Sequence, residues 1–343
     1  MPTVPRAVLS SLSSLPGSSR SVTGALAFTL GVLLTGCGPS GGGDTDTPGT
    51  GETETPAGDP SILVGSFQVS LVAPVSSTPG YTTVVGKIYD GPTPSQIVWE
   101  QAAQSGECKL MTPRVPFCST SCGGSAVCVE DEKCQSYPTA RTVGTIQIKG
   151  VRTSSGATEF SMAPIAKNYQ PSGSTTLPYP AFSEGDAISL SAAGDYYPAF
   201  TLSSRGIAPL TLLDSTLTLQ QNQPLALHWT AAGQANLSTV HVKLDISHHG
   251  GTKGMIECDT ADTGSLQLAA PLVTQLLNLG VAGYPTVIVT RKAVGSTTIA
   301  PGRVDLIVSS EVEHAVVVPG ITSCTGNSEC PTGKTCQSDL TCR

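Results

Sequence analysis

Cysteine is the residue type that most constrains the fold of this chain. The sequence has 343 residues and eleven cysteines, ten of which follow residue 100. These ten form a cluster of five, a single residue and a cluster of four: Cys108, Cys118, Cys122, Cys128 and Cys134; Cys258; and Cys324, Cys330, Cys336 and Cys342. In an exported protein, an even set of this kind indicates a disulfide framework.

Two of the clusters share the spacing C-x5-C-x5-C, at residues 122–134 and 324–336. These stretches resemble the small cysteine-knuckle modules, loosely EGF-like or Dickkopf-like, of exported proteins. They hold almost no aliphatic side chains, so disulfides must supply the stability that burial cannot. Four cysteines allow three pairings. We favour the interleaved one, Cys324–Cys336 with Cys330–Cys342.

The first cluster has five members and therefore needs one partner from elsewhere. Cys258 is the obvious candidate, and a bridge to it would pin the first module to the domain that follows. The alternative leaves Cys258 as a buried free thiol and a second cysteine unpaired. Zinc is disfavoured because no histidine lies within either cluster and exported thiols are oxidised. We therefore expect no metal and no other cofactor.

The first 36 residues read as a secretory signal. Arg6 and Arg20 precede an apolar stretch at residues 25–34, and no acidic residue occurs before Cys37. About ten apolar residues are too few to span a bilayer as a helix, which needs about 20. A basic start followed by a short apolar stretch is typical of a signal peptide.

The end of this signal, Leu34-Thr35-Gly36-Cys37, resembles the lipobox of bacterial lipoproteins. The resemblance implies cleavage before Cys37, acylation of Cys37, and anchoring to a lipid bilayer by two or three acyl chains. Gly38 stands where an inner-membrane retention signal would have Asp, which favours the outer membrane and leaves the leaflet open. The alternative is an ordinary signal peptide followed by a chance cysteine.

Residues 37–60 carry the lipid anchor and a linker rich in Gly, Thr, Pro and acidic residues. This composition cannot bury a core and predicts a disordered tether. Its acids, Asp44, Asp46, Glu52 and Glu54, could suggest calcium. A solubilising role fits better because nothing fixes their geometry.

From residue 61 onward the pattern is mostly β, because short alternating apolar runs are separated by Gly, Pro, Ser and Asn. The clearest run is 239–247, which places Val240, Val242, Leu244 and Ile246 on one face. One stretch, 270–279, has helical spacing and ends at Gly280. Further strands are expected at 67–72, 82–89, 142–151, 210–219, 224–229, 253–258, 285–290, 303–308 and 314–318.

Strands at intervals of about ten residues predict an all-β chain of two β-sandwich domains. We place the first at 61–198, with a cysteine-rich insertion at 108–134, and the second at 199–320, before a cysteine-rich module at 321–343. The second resembles immunoglobulin-like domains of bacterial surface lipoproteins, through Trp229, the alternating strand and Cys258. The family's cysteine before the tryptophan is missing.

Several motifs could carry chemistry, and each has a simpler explanation. Asp262-Thr263-Gly264 matches the aspartic protease signature, but the sequence has no second copy and a tight turn explains it better. The adjacent histidines His248 and His249 precede two glycines and predict a loop. Paired aromatic residues, Tyr196-Tyr197 with Trp99, could stack on sugars but fit a core or interface better. Glu130–Glu132 are expected to form a solvated loop.

Composition and missing motifs narrow the function. The net charge is −7 without a basic stripe, which argues against nucleic-acid binding. The one G-x-S-x-G match, at 38–42, lies in the tether, where no strand precedes it. The sequence favours a non-catalytic lipoprotein of the cell envelope that serves in surface binding or adhesion, or in envelope scaffolding, with a surface or envelope protein or glycan as partner. The alternatives are an exported hydrolase with unsigned carboxylates and a metal- or ligand-binding lipoprotein that uses His248, His249 and an acid.

Overall fold

A computed structural model describes residues 58–75 and 77–343. The predicted signal peptide, Cys37 and most of the predicted linker lie outside these residues. The described chain is nearly all-β, as the sequence predicts, with one α-helix, α1. Its strands and helix are β1 (Asp59–Val72), β2 (Tyr81–Tyr89), β3 (Val98–Ser105), β4 (Cys108–Arg114), β5 (Ala126–Glu130), β6 (Lys133–Ser136), β7 (Ala140–Arg141), β8 (Ile146–Lys149), β9 (Glu159–Met162), β10 (Ala187–Ala192), β11 (Phe200–Arg205), β12 (Leu217–Thr218), β13 (Leu225–His228), β14 (Thr239–Asp245), β15 (Met255–Ala261), β16 (Ser265–Leu268), α1 (Ala270–Asn278), β17 (Thr286–Ile299) and β18 (Gly302–Val317).

The main sheet has ten strands, nine of them in the order β3-β4-β15-β14-β17-β18-β1-β2-β7, with β12 also paired to β18. Strand β1 runs parallel to β18, whereas the β1–β2 and β17–β18 pairs are antiparallel. A second sheet of four strands has the order β11-β10-β8-β9. The pairs β13–β16 and β5–β6 form two short ribbons.

Two hydrophobic cores lie along the main sheet. In the first, Phe67 and Leu306 of the main sheet pack with Ile148 and Leu190 of the four-stranded sheet. In the second, strands β14 and β17 are covered by the β13–β16 ribbon and α1. Its buried residues include Leu227, Trp229, Leu244, Leu272 and Val289. Each core therefore lies between the main sheet and a second layer of secondary structure.

The chain passes from the first core to the second between Ile207 and Leu210, after the predicted boundary at residues 198/199. The boundary does not separate two sheets, however. Strand β17 contributes Val289 to the second core and Ala293 to the first, and β18 also contributes to both. Residues Ala57–Arg343 accordingly form one compact unit.

The longest strands differ most from the sequence predictions. The segments 303–308 and 314–318, predicted as separate strands, belong to one strand, β18, of 16 residues. The serines between them do not interrupt the strand because their hydroxyl groups are bonded within the protein. Ser310 accepts a hydrogen bond from the Leu210 amide, and Ser309 contacts the Ser70 hydroxyl. Asp59 and Pro60, assigned to the linker, already belong to β1.

All ten cysteines of the described chain form disulfides. Cys258 pairs with Cys108, as parity predicts, and the C-terminal module has the interleaved pairing that we favoured. The first module is also interleaved, through Cys118–Cys128 and Cys122–Cys134. Cys108 itself lies in β4 of the main sheet. The cysteine-rich insertion therefore begins after Arg114 rather than at residue 108.

The C-terminal module packs on the body beside the loop at Gly283. The Gly283 amide donates to the Asp339 carbonyl at 2.7 Å, and the Ser323 hydroxyl donates to the Gly283 carbonyl. Cys324 is fully buried. The first module, by contrast, lies in the connection between β4 and β7.

Candidate functional site

The most exposed apolar side chains of the described chain lie in the loop between β4 and the first disulfide module. Val115 is 73% exposed and Phe117 is 70% exposed, whereas Pro116 between them is buried. The buried proline fixes one backbone angle of the loop. The two flanking side chains consequently project into solvent from a fixed base. We call residues Val115–Phe117 the apolar tip.

Backbone contacts hold the apolar tip on both sides of Phe117. The Phe117 amide donates to Oδ1 of Asp131 at 3.0 Å, and the Phe117 carbonyl accepts from the Glu132 amide at 3.0 Å. Cys118, the next residue, is bridged to Cys128 in β5. These contacts tie the tip to the β5–β6 turn, so its conformation is defined without a partner.

The acidic side chains of the β5–β6 turn have structural roles at the tip. The Glu132 carboxylate accepts hydrogen bonds from the Ser119 amide and hydroxyl, at 3.1 and 2.8 Å. Nη1 of Arg114 lies 3.0 Å from the Asp131 carboxylate, and the same guanidinium contacts Glu100. The turn that the sequence identified only as a solvated loop therefore positions Phe117.

The border of the apolar tip is net negative. Glu100, Glu130, Asp131 and Glu132 supply four carboxylates, against the two cations of Arg114 and Lys133. The amide of Phe117, followed by the nearby charge of Arg114, lowers the pKa of Asp131. Asp131 is consequently ionised at neutral pH, and the formal charges of the border sum to −2. These ion pairs are largely exposed and contribute little to stability.

Asp262, the only match to a catalytic signature in the described chain, is a structural residue. Its carboxylate accepts from Nε and Nη2 of Arg291, from the Trp229 indole at 2.8 Å and from the Ser238 hydroxyl at 2.6 Å. The side chains of Arg291 and Asp262 are only 1% and 3% exposed. The adjoining Gly264 has a φ of 95°, as the predicted tight turn requires.

Burial raises the pKa of Asp262, but the hydrogen bonds from Arg291, Ser238 and Trp229 outweigh burial, so the net pKa is lowered. The Arg291 guanidinium also donates to the carbonyls of Ala208, Pro209 and Thr230. The Nε, Nη1 and Nη2 groups of this guanidinium therefore all donate hydrogen bonds within the protein. Such a closed network positions the junction of the two cores, and both oxygens of the Asp262 carboxylate are used in it.

The histidines do not assemble into one site. The rings of His248 and His249 are 3.9 Å apart, in the predicted loop, and Nε2 of His248 lies 3.7 Å from Glu313. His228 contacts Asp214, and His241 contacts Asp259. In the described residues, the groups of three potential metal ligands are cysteines that form disulfides: Cys118, Cys122 and Cys134, and Cys324, Cys330 and Cys336.

The aromatic residues proposed as a sugar platform do not form a flat surface. The rings of Tyr196 and Tyr197 meet at 88°, and Tyr197 is only 7% exposed. The Arg141 guanidinium lies 4.2 Å from the centre of the Tyr196 ring. Trp99 lies on β3, near the other edge of the main sheet from Arg141. The arrangement fits the packing role that the sequence favoured.

Two shallow grooves are found on the described surface. One is lined by residues of β10, β11 and β17, and the other by Pro74, Tyr179, Leu212, Val312 and their neighbours. Neither lining includes an Asp or Glu residue. The paired carboxylates that a glycoside hydrolase needs are not found in either groove.

Sequence reasoning missed both the apolar tip and Arg291, although each leaves a signal. Val115 and Phe117 are apolar residues beside a module too small to bury them, which favours exposure. Arg291 follows Val287 and Val289 in the inward alternation of β17, where a cation needs a buried partner. Nothing in the sequence shows that this partner is Asp262.

Comparisons with known proteins add no family. No family model matches the chain, and no curated protein matches it. Among solved structures, the chain is similar to the FN1–FN3 domains of chicken CNTN1, with 10% identity over 71% of each chain and a TM-score of 0.18. A similarity this distant carries no argument about this chain.

Membrane attachment has to be considered apart from the described body. Within residues 58–75 and 77–343, no helix is long and apolar enough to cross a bilayer. The described chain begins beside the β17–β18 turn, where Asp59 pairs with Gly302.

Proposed function

We propose that the protein is a lipid-anchored lipoprotein of the bacterial cell envelope that presents a non-catalytic binding surface. The observation that carries this proposal is the apolar tip, where two exposed side chains are held in one conformation by disulfide and backbone contacts. An exposed apolar pair is common at interaction sites, and a preformed conformation reduces the entropy lost on binding.

The polar groups in the body of the molecule support this proposal because they contact one another. Asp262 is engaged in a buried network, and His228 and His241 each contact one carboxylate on the surface. The disulfides fit a protein that works outside the cytosol. A rigid β body with tied loops is suited to displaying a surface rather than closing over a substrate.

The lipid anchor is tested by intact mass and membrane fractionation of wild-type protein beside Cys37→Ala. We expect a wild-type fragment that begins at Cys37, with the added mass of two or three acyl chains, in the membrane fraction. The Cys37→Ala protein should lose membrane association. A soluble, unmodified wild-type protein would contradict the anchor.

Presentation is tested on the same cells by labelling of surface-accessible cysteines. A cysteine introduced at Val115 should react with a membrane-impermeant maleimide, and one introduced at the buried position Val242 should not. Reaction at neither position would place the tip facing the periplasm and require a periplasmic partner. Reaction that needs prior unfolding at Val115 would contradict its exposure.

A further inference from the structure

We infer that the apolar tip docks into an apolar pocket of a protein whose rim carries Lys or Arg side chains. This inference rests on the proposed function and names the chemistry of the partner. It is carried by the juxtaposition of Val115 and Phe117, which project from a fixed loop, with a net negative border.

The shape of the tip favours a concave protein surface. Val115 and Phe117 flank a buried proline, so the apolar surface of the tip consists of only two exposed side chains. Aromatic anchors that fill a pocket contribute a large share of the binding energy in protein interfaces. A sugar ring stacks on the open face of an aromatic side chain and gains little from the aliphatic Val115.

The charges around the tip distinguish between the partners that could bind its apolar side chains. Four carboxylates and two cations border the tip, and Asp131 lies directly beneath Phe117. An anionic bilayer repels this border. A symmetric contact between two copies brings the same acidic border against itself, which opposes dimerisation through this surface. A pocket rimmed with basic side chains complements both the apolar tip and its border.

Rigidity makes the tip a specific rather than an adaptable anchor. The Phe117 amide and carbonyl are both hydrogen-bonded to the β5–β6 turn, and Cys118 is bridged to Cys128. The tip therefore enters a pocket without reorganising its backbone. Affinity should depend on the intact turn as well as on the Phe117 ring.

The test places a photoreactive benzoylphenylalanine at position 117 in the full chain, expressed in its own envelope. Ile165, which is 53% exposed in a different loop, is the matched control position. We expect ultraviolet light to give one adduct of discrete mass with a different protein at position 117. The yield should exceed that at position 165 at least fivefold.

Charge dependence is tested in the same experiment. Glu130→Lys changes the formal charge of the border from −2 to zero. It removes the ion pair with Lys133 but retains Asp131, Glu132 and the Cys118–Cys128 bridge, and it should lower the adduct yield at least threefold. Once the crosslinked peptide is mapped by mass spectrometry, reversing the nearest basic residue of the partner to Glu should restore the yield with Glu130→Lys.

Three outcomes would overturn the inference: an adduct with lipid alone, an adduct with a second copy of this chain, and no adduct above the control. A mapped partner site without basic side chains would overturn it as well. Membrane fractionation of the same cells reports the lipid anchor separately, so failure of the anchor and failure of the docking surface are distinguishable.

Discussion

At the scale of single residues, Arg291 and Asp262 contribute most to the polar interior of the molecule. Their side chains are nearly completely buried, and the carboxylate accepts from three different side chains. Removing one member of a buried pair leaves the other charge without compensation. The pair therefore specifies the junction between the two cores more than it adds net stability.

Asp262→Ala should reduce the free energy of unfolding by about 3–5 kcal/mol, because the Arg291 guanidinium stays buried without its carboxylate. Urea denaturation of the purified protein measures this loss. The matched control is Asp259→Ala, three residues earlier in β15, whose side chain is 68% exposed and contacts Lys292 and His241. It should cost less than about 1 kcal/mol. Equal losses for the two variants would contradict the structural role of Asp262.

The same carboxylate makes stability depend on pH. Since the pKa of Asp262 is lowered in the folded protein, its contribution is present above the unfolded pKa, about 3.9, and is lost as the pH falls through the folded pKa. The stability difference between wild type and Asp262→Asn should therefore shrink as the pH is lowered from about 5 to about 2. Urea denaturation across this range checks it, and a constant difference would show that folding does not lower the pKa of Asp262.

The contrast between Asp262 and the apolar tip shows which residue roles can be predicted from sequence. The Asp-Thr-Gly stretch predicts a turn because glycine permits a positive φ, and this is a local property. The partner Arg291 is 29 residues away, and only the strand register brings the two together. Val115 and Phe117 are exposed because the neighbouring disulfide module has no core. The small number of aliphatic residues in that module could have revealed this exposure.

At the scale of elements, the Cys108–Cys258 bridge joins the β3–β4 hairpin to the strand β15 beside it. The two cysteines lie opposite each other in adjacent antiparallel strands and are separated by 150 residues in the sequence. A bridge that closes so long a loop removes much more conformational freedom from the unfolded chain than a local one. The bridges within the two modules each close only 10 or 12 residues.

The Cys108→Ala/Cys258→Ala double variant should lose about 5 kcal/mol of unfolding free energy on the loop-entropy estimate. The Cys330→Ala/Cys342→Ala variant, whose bridge closes 12 residues, should lose about 3 kcal/mol or less. Urea denaturation of both variants under oxidising conditions gives the comparison. A larger loss for the C-terminal pair would mean that its docking on the body matters more than loop entropy.

The sequence predicts single strands and the helix better than it predicts which strands pair with each other. Alternation of Val240, Val242 and Leu244 identifies β14, and helical spacing with a final glycine identifies α1 to within one residue. The short strands β9–β11 were missed, although Ile188 and Leu190 of β10 alternate with serines and are buried. The parallel pairing of β1 with β18 could not be predicted, because it joins residues more than 230 positions apart.

At the scale of the whole molecule, β17 and β18 decide whether the two cores behave as separate domains. Each strand passes from one core to the other without a break, so disruption of either core disturbs strands that the other core also uses. A division at residues 198/199 would leave each half without strands that its core requires. Cooperative unfolding of the body follows from this sharing.

We therefore expect one unfolding transition for the body, and a change in either core should shift it. Ile148→Ala in the first core removes a fully buried side chain and should cost about 2–5 kcal/mol, which lowers Tm by at least about 4 °C. Trp229, buried in the second core, reports that core by fluorescence once Trp99 is replaced by Phe. Its transition should shift with Ile148→Ala by as much as with Leu244→Ala, a change of similar size in its own core. Independent domains would instead leave the Trp229 transition unchanged when Ile148 is replaced, and calorimetry would then resolve two peaks.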